Sequence, residues 1–304
     1  MPRIGCIDVG TNSVLLLVAD IEGNSLHPVA DEAEITRLGA GVDKTRLLEE
    51  ASIQATLDAL KKFCDQARDL GASRVLAIGT SALRDAANRS AFLDPAEEIL
   101  GKPVQIITGE QEAHASWLSV ETDPTLQAAT PLLVVDLGGG STELVGGSGW
   151  PADLAQSVDM GAVRLTERFF STQEYTPEAI QAAMQEVRSA FRHVLSGKQY
   201  KTFVGIGGTV VNLACMAGNG LDHTQTHGFH ISRDAIADII THLSGLSLEE
   251  RCKVPGLEPK RADVIVSGAI IFEVLLEILG LDELVTSTRG VRYGAAVLVS
   301  RGEW

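Results

Sequence analysis

Gly5-Cys6-Ile7-Asp8-Val9-Gly10-Thr11-Asn12-Ser13 has a counterpart 128 residues later, Val134-Val135-Asp136-Leu137-Gly138-Gly139-Gly140-Ser141-Thr142-Glu143. Each is an apolar, strand-like run that reaches Asp, one apolar residue and Gly, then passes into small polar residues. An aspartate at a strand end followed by a glycine turn sets a carboxylate beside backbone N–H groups that can point at an anion. Glycine is needed because a Cβ would block close approach of the backbone. Thr11, Asn12, Ser13, Ser141 and Thr142 add side-chain donors for phosphate oxygens. A repeat at domain period predicts two similar α/β halves that present equivalent strand ends to a shared cleft.

A third element, Gly205-Ile206-Gly207-Gly208-Thr209, ends an apolar run at 203–206 and precedes a helical stretch at 210–216. It repeats the strand, glycine turn, helix order and puts a helix N-terminus where an anion can sit. One such turn is usually ordinary loop geometry, but three in one α/β chain make a phosphate site the better reading. No Gly-x-x-x-x-Gly-Lys-Ser/Thr occurs, and no Gly-x-Gly-x-x-Gly with an acidic partner follows a strand, so P-loop and Rossmann sites are unsupported.

Outside these turns, helical and strand periods alternate throughout. Ile53, Leu57, Leu60, Phe63, Cys64, Ala67 and Leu70 recur at steps of three and four and stop at Gly71, which predicts an amphipathic helix followed by a strand at 75–78. Thr176-Pro177 begins another helix, running through Phe191 and Leu195. Further helices are predicted at 232–243, 261–279 and 291–299. The segment 124–131, polar with two prolines, is the expected handover between domains 1–124 and 125–304, with the last helix (about 291–304) free to pack back on the first domain.

The chain of 304 residues is 45% hydrophobic and 21% charged, enough apolar material for a sizeable core and too much for disorder. Forty acidic against twenty-five basic residues give a net charge of -15. That field repels polyanions unless a local basic site or a divalent cation reverses it, so nucleic acid is not an expected partner. Cys6, Cys64, Cys215 and Cys252 have no paired spacing, which predicts reduced thiols rather than a disulfide framework or zinc site. His223, His227 and His230 are interrupted by Gly228 and read as a loop, not a metal site. The start, Met1-Pro2-Arg3-Ile4-Gly5-Cys6, lacks the pattern of a secretory signal, which predicts a cytoplasmic location. The apolar stretch 264–281 carries Ser267, Glu273 and Glu277 and falls short of a span of ~20 residues, so no membrane segment is expected.

The chain as a whole resembles the exopolyphosphatase and guanosine pentaphosphate phosphohydrolase (Ppx/GppA) family, within the actin, Hsp70 and sugar-kinase superfamily. The pieces that carry the likeness are Ile7 to Ser13 of the first turn, Gly79-Thr80-Ser81-Ala82-Leu83-Arg84-Asp85-Ala86-Ala87-Asn88, Thr108-Gly109-Glu110-Gln111-Glu112-Ala113, Asp136 to Glu143, Met160-Gly161-Ala162-Val163-Arg164-Leu165-Thr166-Glu167, and Gly205 to Thr209. Longer members carry further C-terminal helical domains, and this chain looks like the short two-domain form.

The resemblance implies an α/β fold of two actin-like (ribonuclease H-like) domains flanking an interdomain cleft. It assigns the catalytic base to Glu112, the glutamate directly before alanine, with Glu110 a solvated neighbour. It implies metal and phosphate handling by Asp136 and Glu143, with Asp8 the equivalent acid of the first half. The expected cation is Mg²⁺, with Mn²⁺ an alternative, since hard oxygen ligands suit it. Arg84 is the expected cationic clamp on phosphate because a guanidinium matches phosphate oxygens in a bidentate way. Asn88, one turn on, shares its helix face. Gly10, Gly138, Gly139, Gly140, Gly207, Gly208 and Thr209 complete the phosphate set. Arg261, Asp263, Ser287, Thr288 and Arg289 are read first as structural.

The implied activity is release of orthophosphate from the ends of inorganic polyphosphate, with guanosine pentaphosphate (pppGpp) 5′-hydrolysis as the alternative. An actin-like ATPase or sugar kinase, and an alarmone-binding regulator without turnover, are the readings of another class. Glu112, Asp136 and Glu143 together weigh against the last. Homodimers are common in such proteins, and one is possible here.

Overall fold

The computed structural model describes residues 1–23, 25–126 and 129–304. The expected handover at 124–131 therefore includes two residues, Gln127 and Ala128, that lie outside the described residues. The chain divides into two compact units, one of 1–123 with 289–304 and one of 124–288. The reading of the sequence ends its second domain at 304, with the last helix (about 291–304) free to pack back on the first; here the residues from 289 onward belong to the first unit.

The first unit contains β1 (Arg3–Val9), β2 (Ser13–Glu22), β3 (Ser25–Ile35), α1 (Val42–Thr45), α2 (Glu50–Asp69), β4 (Arg74–Gly79), α3 (Ser81–Asp85), α4 (Ser90–Leu100), β5 (Gln105–Ile106) and α5 (Gly109–Glu121). Its sheet has the order β3-β2-β1-β4-β5, antiparallel from β1 to β3 and parallel from β1 to β5. Side chains alternate across a strand, and here both faces are apolar. Ile7, Val9, Val14, Leu16 and Val18 join Leu57, Leu60 and Phe63 of α2 in one core layer. Ile4, Cys6, Leu17, Ala19 and Ile21 join Ala115 and Leu118 of α5 in the other. Asp8 continues the Ile4-Cys6 series and so lies on the α5 face.

The second unit contains β6 (Leu132–Leu137), β7 (Thr142–Gly147), β8 (Leu154–Val158), α6 (Ala162–Phe169), α7 (Pro177–Leu195), β9 (Thr202–Ile206), α8 (Gly208–Ala217), β10 (His230–Ser232), α9 (Arg233–Ser244), α10 (Leu248–Arg251), α11 (Ile265–Leu279) and β11 (Glu283–Ser287). Its sheet runs β10-β11-β9-β6-β7-β8, antiparallel across β6, β7 and β8, and parallel across β6, β9 and β11. Apart from the short edge strand β10, this is the order and direction of the first sheet. The repeat seen in the letters is therefore a repeat of topology. Leu133, Val135, Leu137 and Leu144 pack with Val187, Phe191 and the apolar stripe of α11 in one core. The last helix, α12 (Val291–Ser300), belongs to the first unit and packs in the α5 layer.

One predicted boundary moves: α11 starts at Ile265, not at 261. The carbonyls needed for an earlier start are taken elsewhere. Ala262 O accepts from Arg251, and Asp263 O accepts from Gln173 and Tyr175. Pro259 leads instead into one 3-10 turn ending at Arg261. Among the described residues no helix is long and apolar enough to cross a membrane.

Candidate active site

In the first unit, β1 turns into β2 through Gly10. The Gly10 N–H donates to Ser13 O at 2.9 Å, and a Cβ on Gly10 would come within 3.1 Å of that oxygen. Gly138 in the second unit does the same with Ser141 O, at 3.0 Å and 3.1 Å. The two aspartate-led turns are thus built alike, each following an aspartate two residues earlier.

Beyond that point the halves differ. Across the β6–β7 ladder Asp136 stands directly opposite Glu143. Across β1–β2 the partner of Asp8 is Leu15. Side chains directly opposite in an antiparallel pair share one face, so only the second unit sets two carboxylates side by side. Glu143 is almost wholly buried, and its Oε1 accepts from Ser141 Oγ at 2.9 Å and Ser157 Oγ at 2.6 Å. Among the described residues no group of three or more metal-binding side chains occurs. Mg²⁺ commonly takes one or two protein carboxylates and completes its shell with water and substrate oxygens, and the Asp136–Glu143 pair fits that mode.

The hydroxyls expected to face phosphate are largely engaged within the protein. Ser141 donates to Glu143, Thr142 donates to Met160 O, and Thr11 Oγ1 is 2.8 Å from Ser81 Oγ. A hydroxyl carries one proton, so for Ser141 and Thr142 an anion is left to the backbone N–H groups. Asn12 differs: its O accepts from the Thr36 and Arg37 N–H groups, while its buried Nδ2 has no hydrogen-bond partner among the described residues. That is a donor held in the turn with no acceptor among the described residues.

Glu112 sits in the first turn of α5, which Thr108 and Gln111 close by a reciprocal cap: the Gln111 N–H donates to Thr108 Oγ1 at 3.2 Å and the Thr108 N–H to Gln111 Oε1 at 2.9 Å. Glu110 is exposed and Glu112 is buried at 6% exposure. Arg84 Nη1 donates to Glu112 Oε2 at 2.6 Å and to Ile107 O at 3.0 Å. The expected phosphate clamp is therefore also an ion-pair partner of the buried Glu112 carboxylate. Removing one partner of a buried ion pair costs about 3–5 kcal/mol. Asn88 does not share a helix face with Arg84, because α3 ends at Asp85 and Asn88 lies beyond it. Its amide donates to Leu48 O at 3.0 Å and accepts from Leu48 N–H at 2.7 Å, which commits it to the 46–48 backbone.

The strand-turn-helix element at Gly207 meets the aspartate turn of its own unit. Gly207 has φ 100°, a Cβ there would lie 2.9 Å from Leu137 O and 3.5 Å from Asp136 Oδ1, and the residue leads straight into α8. Gly208 is flush against the Arg261 guanidinium, 2.2 Å from where a Cβ would stand. Burial holds Arg261 below the usual arginine range, offset by Glu258 at 3.2 Å. Thr209 is buried against Gly268.

One group went unassigned in the sequence. Arg164, buried in α6, donates from Nε to Gly140 O at 2.7 Å. The N–H groups of Ala162, Val163 and Arg164 donate to Gly138 O, Gly139 O and Gly139 O. The start of α6 thus takes up the carbonyls of Gly138, Gly139 and Gly140, and no negative end of those peptides need face an anion. Gly161 permits it, since its Cβ would lie 2.4 Å from Gly139 C and O. The motif Met160-Gly161-Ala162-Val163-Arg164 was visible in the letters, but its contact with a turn 22 residues earlier was not.

The family model of the Ppx/GppA phosphatase family matches residues 17–300. Exopolyphosphatase 2 of Mycobacterium tuberculosis is 34% identical, over 98% of this chain and 98% of that protein. A guanosine-5′-triphosphate,3′-diphosphate pyrophosphatase of Vibrio vulnificus is 33% identical over 97% of this chain, which spans 59% of that relative's length. Among solved structures, the Aquifex aeolicus Ppx/GppA family member superposes with a TM-score of 0.82 at 33% identity, over 99% of this chain and 98% of its own.

Proposed function

The chain belongs to the Ppx/GppA phosphatase family, and from that premise we propose that it hydrolyses terminal phosphoanhydrides, releasing orthophosphate from the ends of inorganic polyphosphate. The observation that carries this reading is the Glu112–Arg84 pair: a buried carboxylate at a capped helix start, fixed by a guanidinium at 2.6 Å. Held by Arg84 at Oε2, the Glu112 carboxylate takes the proton of the attacking water. The water oxygen bonds to the terminal phosphorus, the bridging P–O bond breaks with its electrons on the shortened chain, and the proton passes to solvent. A pair held this firmly aligns water more than it pulls on it, so positioning supplies much of the rate.

The glycine turns contribute backbone N–H groups to the charge that develops on the phosphoryl oxygens. Asp136 and Glu143 would hold Mg²⁺, with Asp8 the acid of the first unit in the equivalent place. The cation, when bound, supplies charge neutralisation on phosphate oxygens. The match to an exopolyphosphatase over 98% of both chains supports polyphosphate as the first reading, with pppGpp hydrolysis as the second.

Glu112→Gln is expected to lower turnover by about 10²- to 10⁴-fold, the usual worth of general acid–base help, while polyphosphate binding is kept. Near-parental turnover in that variant would remove Glu112 from its role.

A further inference from the structure

A chain with net charge -15 needs a local cationic surface to hold a long polyanion. In the first unit one short segment supplies candidates. After β3 the backbone of 36–39 is laid against the Gly10 turn: the Thr36 and Arg37 N–H groups both donate to Asn12 O, at 3.1 Å and 3.0 Å, and Gly39 N–H donates to Thr11 O at 2.8 Å. Gly39 fits so closely that a Cβ would stand 2.4 Å from Thr11 Cγ2. Thr36, Leu38 and Gly39 are buried; Arg37 alone in this run is exposed. It is held at φ 57°, a region that an L side chain seldom adopts.

Nine residues on, the same thing recurs. Arg46 ends α1 at φ 58°, with its N–H on Val42 O and its own carbonyl accepting from Ala87 N–H at 2.8 Å. Its side chain is 58% exposed, and its Nη1 lies 3.6 Å from Asp85, the last residue of α3, next to Arg84. Asn88 fixes Leu48 from the same side. Of the four non-glycine residues with positive φ among the described residues, two are these exposed arginines. The strap 36–48 is thus fastened at one end to the phosphate turn, beside the unpartnered Asn12 Nδ2, and at the other to the α3 region that carries Arg84. Strained backbone kept at two charged, exposed positions, Arg37 on the Gly10 turn and Arg46 beside α3, points to a task for those side chains.

We propose that Arg37 and Arg46 form a secondary subsite of the first unit that binds the internal phosphates of a polyphosphate chain, so that longer chains are preferred to tripolyphosphate. This rests on the exopolyphosphatase reading. The two arginines grip phosphates that are not being cleaved, and each contact displaces counterions, which makes long-chain binding salt-sensitive.

The test is kcat/KM for tripolyphosphate and for long-chain polyphosphate, at low and moderate salt, in the parent and in Arg37→Gln/Arg46→Gln. The double variant is expected to lose about tenfold or more in the long-chain to tripolyphosphate ratio, with a shallower salt dependence, as loss of charge-assisted phosphate contacts requires. Arg37→Lys/Arg46→Lys should hold the ratio, because charge is kept. Should the Gln pair melt early, Arg37→Asn/Arg46→Asn, better suited to positive φ, carries the same expectation. An unchanged ratio and salt slope in a folded variant would overturn the subsite and leave the exopolyphosphatase reading standing. A parent that hydrolyses neither substrate would overturn both.

Discussion

Gly161 shows how little room the second unit leaves around its aspartate turn. A methyl group there would lie 2.4 Å from Gly139 C and O and 2.7 Å from Gly140 N. The neighbour is backbone, so no side chain can swing aside, and the turn must shift. A displacement of about 1 Å at a positioning group costs roughly 10²-fold in rate, so Gly161→Ala should lower kcat/KM by about that factor while far-UV circular dichroism stays unchanged. A fully active variant would show that the turn has no part in turnover. At this scale the sequence disclosed residue types but few partners. Asp8, Asp136 and their glycines were legible because strand, carboxylate and turn adjoin in the chain. The Arg84–Glu112 pair was not, because the two are 28 positions apart and meet only when α3 and the start of α5 fold together. Nor was the engagement of Ser141 and Thr142, since a hydroxyl near a phosphate turn looks the same in the letters whether it faces anion or protein.

Among elements, α5 carries the proposed base Glu112, and α12 fixes it along its length. Gly294 lies against the Ala115 carbonyl, 1.8 Å from where its own Cβ would stand. Arg289 pairs with the buried Asp123 at 3.1 Å, just beyond the end of α5. Arg292 and Tyr293 both reach Asp31 on β3, at 2.7 Å and 2.6 Å. Gly294→Ala therefore forces two helix backbones apart. Overpacking of this kind costs about 1–3 kcal/mol, which should lower the melting temperature by several degrees in a thermal denaturation followed by circular dichroism; an unchanged melting temperature would contradict so close a contact. Helix periods were readable from apolar spacing, as in α2 and α7, because each buries one stripe on its sheet. The start of α11 was misjudged because its preceding carbonyls are drawn off by Arg251, Gln173 and Tyr175, contacts that local spacing does not encode.

For the whole molecule, the repeat of an aspartate-led strand predicted two like halves, and both sheets share one strand order around β1 and β6. Their chemistry is unequal: the second unit pairs Asp136 with Glu143, and the first sets Leu15 at the corresponding position while supplying Glu112 from a helix. The frame is duplicated while the acids diverge, which suits the proposed split between metal holding and water activation, since the two call for different surroundings. Substrate and reaction are tested most directly by one assay. Purified protein with Mg²⁺, given long-chain polyphosphate and pppGpp side by side, should release orthophosphate from polyphosphate with the higher kcat/KM; much faster turnover of pppGpp, or no phosphate release from polyphosphate at all, would contradict the exopolyphosphatase reading.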